Sequence, residues 1–449
     1  MAPIQTTPGR SRDRLAAWLR GVVLIRRGEG RLAAWSTVHF FLVLASYYIL
    51  RPMREELGLR AGLENLPWLV MGTLGAMLVC SLAMAGAGRV MRREAVAFGT
   101  YGVFIACIVG FYVAFIVLPV SWHIALARGF YIWTGVFNLL SVSVFWTFTG
   151  DILSREQAAR LFALIAVGGT VGAVLGSSIT AALSVVMSPV HLMPISAVAL
   201  LLGVIAAVAS RRSSGHVRGE SERGVAPAVA QATRATVGVG RVRAYLGAIC
   251  VYMLLFTMTS MVLYFEQASI VSASISGAAE RTAFFARIDL FANAIAVLAQ
   301  LGLSGRVLSR FGVGAALSLT PAATLLAAVA LMASPTVGVL LIAQVARRAV
   351  HYAIDRPARE LAFLALPGAD RAASKGFVDS FVYRGGDMLG AALCGIAAAD
   401  GRVLLVAAVP ASLVWVGVAI TIGRMQRGLG TGVARSSPDA CIPSVERAV

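Results

Sequence analysis

The sequence predicts an all-α integral membrane protein, with twelve transmembrane helices in two parallel six-helix repeats. Three observations lead there. The chain is 58% apolar and only 13% charged over 449 residues, whereas soluble domains carry about 25% charged residues. Apolar runs of roughly 20 residues, enough to cross the hydrocarbon core of a bilayer, recur from one end to the other. Features of the first half return about 217 residues later. The runs are continuous rather than alternating, so the spans are helices and not barrel strands.

The first six spans are expected near 33–50, 66–87, 96–118, 124–149, 161–187 and 191–210. The second six are expected near 244–265, 284–304, 313–333, 336–356, 376–399 and 402–424. Residues 33–210 and 244–424 are thus two six-helix bundles. Between them lies the arginine-rich stretch 211–243, with Ser213, Ser214, Gly215 and Pro227 and no apolar period, read as a solvated loop. The basic segment 1–32 and the polar tail 425–449 flank the bundles, and the tail is expected to be mobile. Arg12 to Arg31 carries Leu15, Trp18, Leu19 and Val22, which fits either a helix on the membrane surface or a plain basic tail. No signal peptide is evident.

The net charge of +18 comes almost wholly from arginine, Lys375 being the only lysine. A basic balance can signal nucleic acid. Here the arginines fill the gaps between apolar runs, so they report topology instead. Most of the 39 Lys and Arg fall on one side if the N-terminus is cytoplasmic. Both termini and the central loop are therefore expected inside. The abundance of Ala and Arg suggests a GC-rich bacterial gene, hence an inner membrane. The five cysteines show no metal-ligand spacing. No enzyme signature, metal site or cofactor motif is present, and a monomer is expected.

The repeat is specific. Tyr47-Tyr48 falls on Tyr264-Phe265, Gly88 to Arg93 on Gly305 to Arg310, and Gly168-Gly169 on Gly385-Gly386. An even number of duplicated helices leaves both copies in the same orientation, the parallel arrangement of major facilitator transporters, whose substrate site lies between halves near the midplane. Gly305, Arg310 and Gly312 also resemble that superfamily's Gly-x4-Arg-x-Gly loop, with Ser309 where the family has an acid. Gly88 and Arg93 match in the first half, with Ala95 in place of the second glycine. A tight cytoplasmic turn that helps gate the inner face is the implied role, and a merely basic loop is the alternative. Gly168, Gly172 and Gly176 form a smooth strip on span five, and Gly386, Gly390 and Cys394 do so on span eleven. Such strips let helices approach closely and slide. No Gly-Lys-Ser/Thr follows, which excludes a phosphate loop.

Charges within spans are costly, about 2.5–3.5 kcal/mol at the bilayer centre, and so are candidates for function. At the end of span one, Pro52 is expected to break the helix, with Arg51 and Arg54 sharing a face. Guanidinium groups grip carboxylate or phosphate in a fork. The competing reading is a snorkelling anchor paired with Glu55 and Glu56. In span four, Arg128, Tyr131, Gly135 and Asn138 share a face, while Trp146 and Asp151 position the next helix. In span eight Asp289 and Asn293 share a face beside Arg287. Span ten carries Arg347, His351 and Asp355 at four-residue spacing, with Arg348 adjacent. Span eleven carries Asp379, Tyr383 and Asp387, with Arg384 nearby. Arg51, Arg54, Arg128, Tyr131, Asn138, Arg348 and Arg384 are thus candidate substrate ligands. Glu266, Asp289, His351, Asp355, Asp379 and Asp387 are candidate coupling groups, and His351 could titrate near neutrality. A self-neutralising buried network is the alternative for each.

Tyr47-Tyr48-x-Leu50-Arg51-Pro52-x-Arg54-Glu55-x-x-Gly58 resembles the end of helix one in bacterial major facilitator proteins related to ATP:ADP antiporters. Phe145-Trp146 and Asp151, then Gln157-Ala158-Ala159-Arg160-Leu161-Phe162, resemble their passage from helix four to five. Phe284-Phe285-Ala286-Arg287-x-Asp289 is similar to the start of their helix eight. The resemblance covers most of the chain. It implies a major facilitator fold and an organic-anion or nucleotide substrate. Nucleotide exchangers of that group use intramembrane lysines, whereas this chain has only Lys375, and arginine supplies charge without being interchangeable with lysine. The expected function is secondary transport of an anionic small molecule by rocking of the two bundles. The alternatives are a proton-coupled drug exporter, which should have a mostly apolar cavity with one acid, and a non-transporting scaffold or sensor.

Overall fold

The computed structural model describes residues 26, 28–221, 239–366, 368–396 and 401–435. Helices α1 Gly30–Arg60, α2 Leu66–Val90 and α3 Arg93–Val117 open the chain. They are followed by α4 His123–Ile152, α5 Arg155–Leu183 and α6 Leu192–Ser221. The second half runs through α7 Val239–Ser274, α8 Ala278–Gly302 and α9 Ser304–Ala333. Span ten is α10 Val337–Val350, a π turn His351–Asp355 and α11 Arg356–Leu364. Span eleven is α12 Gly368–Phe377, a π turn Val378–Val382 and α13 Tyr383–Ile396. Helix α14 Gly401–Arg435 closes the described chain. No strand occurs among the described residues.

Eleven of the described helical segments are long and apolar enough to cross a membrane. The remaining expected span, 376–399, is helical over its described part. Asp379, Arg384 and Asp387 dilute its apolar character. Trp68, at the start of α2, and Trp122, just before α4, are exposed at the end of the bundle where α1 also finishes. Aromatics at that level match an interfacial belt.

Several sequence expectations are corrected. Pro52 does not break span one, because α1 continues past it to Arg60. A proline costs one backbone bond, and packed transmembrane helices absorb that loss. The stretch from Arg211 is helical as far as Ser221, with Arg211 held to Glu94 at 2.5 Å. Helix α7 likewise begins at Val239, before the expected end of the loop. Helix α14 runs to Arg435, through the first part of the expected mobile tail. The N-terminal segment up to Ile25, Arg27, the core of the inter-half loop and the tail beyond Arg435 lie outside the described residues.

The chain divides into two compact units. One comprises Met1–Ala226 with Ile275–Val297, and the other Pro227–Ser274 with Leu298–Val449. Most of α8 therefore belongs with the first six helices.

Within each unit the glycine strips pack closely. A Cβ at Gly172 would land on the Phe41 carbonyl, one at Gly176 on the Ala45 carbonyl, and one at Gly168 on Thr37. These contacts seat α5 on α1. In the second unit a Cβ at Gly386 would meet Thr257, and one at Gly390 would meet Met261 at 2.8 Å, which seats α13 on α7. The same pair of repeat positions is thus joined by the same device. Gly312 has φ of 79° and kinks α9, a backbone state that favours glycine.

The end of the first unit where α1 and α5 begin is tied by a polar latch. Ser154 and Gln157 form a capping box at the start of α5. One turn on, Arg160 donates to both carboxylate oxygens of Glu29 at 2.8 and 3.0 Å. Burial alone would raise the Glu29 pKa. The Arg160 bonds, the Arg26 backbone N–H and Gln157 outweigh it and hold this carboxyl below its ordinary value. Around the latch, Leu32, Phe40, Phe145, Leu161 and Ile165 form a core with Trp146 and Phe162 against it.

Candidate functional site

The end of α1 carries four charged residues within six positions, and each finds a different partner. Arg51 pairs with Asp289 of α8 at 2.8 Å, their side chains 17% and 3% exposed. The Arg51 guanidinium also lies over the Tyr48 ring at 5.5 Å. Asn293 donates to the Asp289 backbone carbonyl one turn away. Arg54 donates through Nε to the Tyr131 carbonyl at 3.1 Å, lies 3.9 Å over the Tyr131 ring, and pairs with Glu55 at 2.9 Å. Glu56, 1% exposed, is approached by Arg281 at 3.3 Å and Arg60 at 3.4 Å. So Arg51 and Arg54 reach apart rather than forming one fork, and two ion pairs join α1 to α8. Gly58 makes room for this, since a Cβ there would come within 2.8 Å of the Tyr131 ring.

Tyr131 is fully buried, whereas Arg128, one turn earlier on α4, is exposed. The shared face read from the sequence therefore does not bring Arg128 and Tyr131 into one environment. Asn138 is half-buried, and Gly135 packs on Thr73. Arg287 is exposed beside the buried Asp289.

The second unit holds a different cluster. Asp355, in the π turn of span ten, lies 3.0 Å from His351 Nδ1 and 3.1 Å from Arg359 Nε, with its side chain 1% exposed. Tyr252 of α7 donates its hydroxyl to Asp355 in a short hydrogen bond, with a second contact to the Leu317 carbonyl. The Phe256 ring stacks on His351 at 4.6 Å. A π turn places successive side chains out of the usual register, and such turns favour functional positions. Nearby, the buried Arg347 donates to Ser260 at 3.0 Å and to Gln344 at 3.3 Å, and Gln344 donates to the Leu263 carbonyl. Arg348 reaches Gln267 at 3.4 Å. Glu266, adjacent to Gln267, is half-buried.

On span eleven Arg384 stands 3.9 Å from the buried Asp387 and over the Tyr383 ring at 5.6 Å. Asp379 is exposed. Arg310 is exposed over Phe311, and Gly88 and Gly305 have open space where a Cβ would go. The Arg93 side chain lies outside the described residues. Lys375 pairs with Glu360 at 2.6 Å between α11 and α12. No cluster of metal-ligating side chains occurs among the described residues.

The sequence reading missed Arg281, Tyr252 and Arg359 as members of these networks. It placed Arg347 in the span-ten row but chose its neighbour Arg348. Burial was the deciding difference, and a row of charges along one helix does not show which of them a second helix covers.

No protein-family profile and no curated protein matches the chain. Solved structures do. A mutant of the peptide transporter POT superposes with TM-score 0.61 at 13% identity, covering 87% of this chain and 95% of that one. A mutant of the nucleoside transporter NupG gives 0.55 at 11% identity, covering 89% and 99%. The fold is that of the major facilitator transporters. A POT family transporter in complex with 5-aminolevulinic acid matches at 0.55 and 12% identity, covering 88% and 96%. At such identities the likeness establishes the fold, and the site is read from this chain's own residues.

Proposed function

We propose that the chain is a secondary transporter that carries a small organic anion, nucleotide-like solutes included, by alternating access. The observation that carries this reading is the Arg51–Asp289 pair. It is one cation and one anion, with the arginine the more exposed partner. An incoming carboxylate or phosphate can take over Arg51 through the same forked hydrogen bonds that Asp289 now uses. A free Asp289 can then take up a proton, which couples anion binding to proton movement. Arg54, Arg347, Arg348 and Arg384 are further candidate ligands, and Asp387, Glu266 and Asp379 further coupling groups. The orientation that fits the arginine placement is a bacterial inner membrane with both termini cytoplasmic, and the unit that works is a monomer.

A drug exporter of the expected type would carry one acid among apolar groups. The several arginines found within these spans do not suit it. The test is uptake of labelled organic anions, nucleotides among them, into proteoliposomes holding the purified chain. Saturable uptake is expected. Absence of flux for every anion tried, with correctly folded protein, would leave the scaffold reading standing instead.

A further inference from the structure

A cavity lies in the first unit, away from the α1–α8 ion pairs. It measures about 490 Å³ and sits among α2, α3 and α4. Its walls have two characters. Ser81, Ser143 and Thr147 supply hydroxyls, and Met84 and Phe148 supply an apolar flank. Arg89 stands at its rim near the end of α2, exposed and without an acidic partner among the described residues. Its neighbouring acid, Glu94, is engaged by Arg211 instead. Eight residues separate Ser81 from Arg89, which is roughly 12 Å along a helix at about 1.5 Å per residue. The cavity is therefore cationic at one end, hydroxylated along its length and apolar at its side. Beside it α2 exposes Leu78, Val79 and Leu82, a surface suited to hydrocarbon.

We infer that this cavity seats the headgroup of an anionic phospholipid from the leaflet at the α2–α3 turn. Arg89 meets the phosphate, the Ser and Thr hydroxyls meet the glycerol and ester oxygens, and the acyl chains lie along Met84, Phe148 and the exposed face of α2. Basic pockets between transmembrane helices at the cytoplasmic side suit such headgroups. That leaflet is the cytoplasmic one in the proposed orientation. The site itself rests on the cavity and not on the transport reading.

The experiment is native mass spectrometry of the full chain in detergent, titrated with phosphatidylglycerol or with phosphatidylethanolamine. Wild-type protein should retain phosphatidylglycerol at least about fivefold better, the gain that one arginine near an anionic lipid surface typically gives. Arg89→Ala should bring the two lipids to parity. Ser143→Leu, which fills the cavity and leaves Arg89 in place, should lower retention of phosphatidylglycerol as well, so the site remains testable if one variant folds poorly. Arg287→Ala, an exposed arginine elsewhere, should change nothing. Equal retention of both lipids by the wild type, or an unchanged preference in both cavity variants, would overturn the inference. So would displacement of the lipid by millimolar glycerol 3-phosphate, because the cavity would then be a site for soluble phosphate esters.

Discussion

The ion pair at the end of α1 and the cluster around Asp355 use the same chemistry to opposite ends. Arg51 and Asp289 make an ion pair with the cation partly exposed. Asp355 is enclosed by His351, Arg359 and Tyr252, and almost no surface of it remains. Removing one member of a buried pair leaves an uncompensated charge and typically costs about 3–5 kcal/mol. Replacing both members can be neutral. A charge that solvent and solutes can reach can be traded for a ligand, while one covered on every side is fixed. Exposure, more than charge itself, separates a candidate site from a structural network.

The largest expected effect breaks the fixed side of this contrast. Asp355→Ala strands Arg359 and frees the Tyr252 hydroxyl, and should destabilise the protein by about 3–5 kcal/mol, read as thermal unfolding in detergent. An unchanged melting temperature would place Asp355 among the exchangeable charges and erase the difference between the two clusters. Next is the helix contact that supports the first cluster. Gly172→Ala drives a methyl group into the Phe41 carbonyl, and overpacking of this kind costs about 1–3 kcal/mol. Gly75→Ala on α2, where a Cβ would meet open space, should leave the melting temperature in place. Equal effects at both positions would deny that α5 is seated on α1 by its glycines.

The smallest effect sharpens the comparison outside the membrane. The Glu29 carboxyl is held below its ordinary value of 4.5, so its stabilisation is complete above that value and is lost as pH falls through the lowered one. Glu29→Gln should therefore lower the melting temperature at neutral pH, and the gap from wild type should close on acidification below about 4.5. A gap independent of pH would mean that the side chain packs rather than pairs.

The sequence made the spans legible because hydropathy is a property of each segment by itself. It made the repeat legible because Gly168-Gly169 and Gly385-Gly386 sit at matching places, and the structure seats both on the first helix of their halves. Partners across the fold were another matter. Arg51 and Asp289 were both picked out, but as a ligand and a coupling group on separate helices, since nothing local pairs residues so far apart in sequence. Glu56 was read as a neighbour of Arg51 and Arg54, yet the side chain turns to Arg60 and Arg281. The π turns at His351–Asp355 and Val378–Val382 rotate the residues that follow them. On span eleven a regular 3.6-residue period put Asp379 and Asp387 in one row, whereas Asp379 is exposed and Asp387 is buried. Pro52 misled for a related reason, because proline ends isolated helices more readily than packed ones.

The central claim is that Arg51 is the cation an anionic substrate takes from Asp289. It is tested most directly by anion uptake into proteoliposomes carrying the double variant Arg51→Ala/Asp289→Ala, which removes both charges and so should keep its wild-type melting temperature. The account expects a folded protein with no saturable anion uptake. Uptake at the wild-type rate would contradict it and reduce the Arg51–Asp289 pair to a structural tie between α1 and α8.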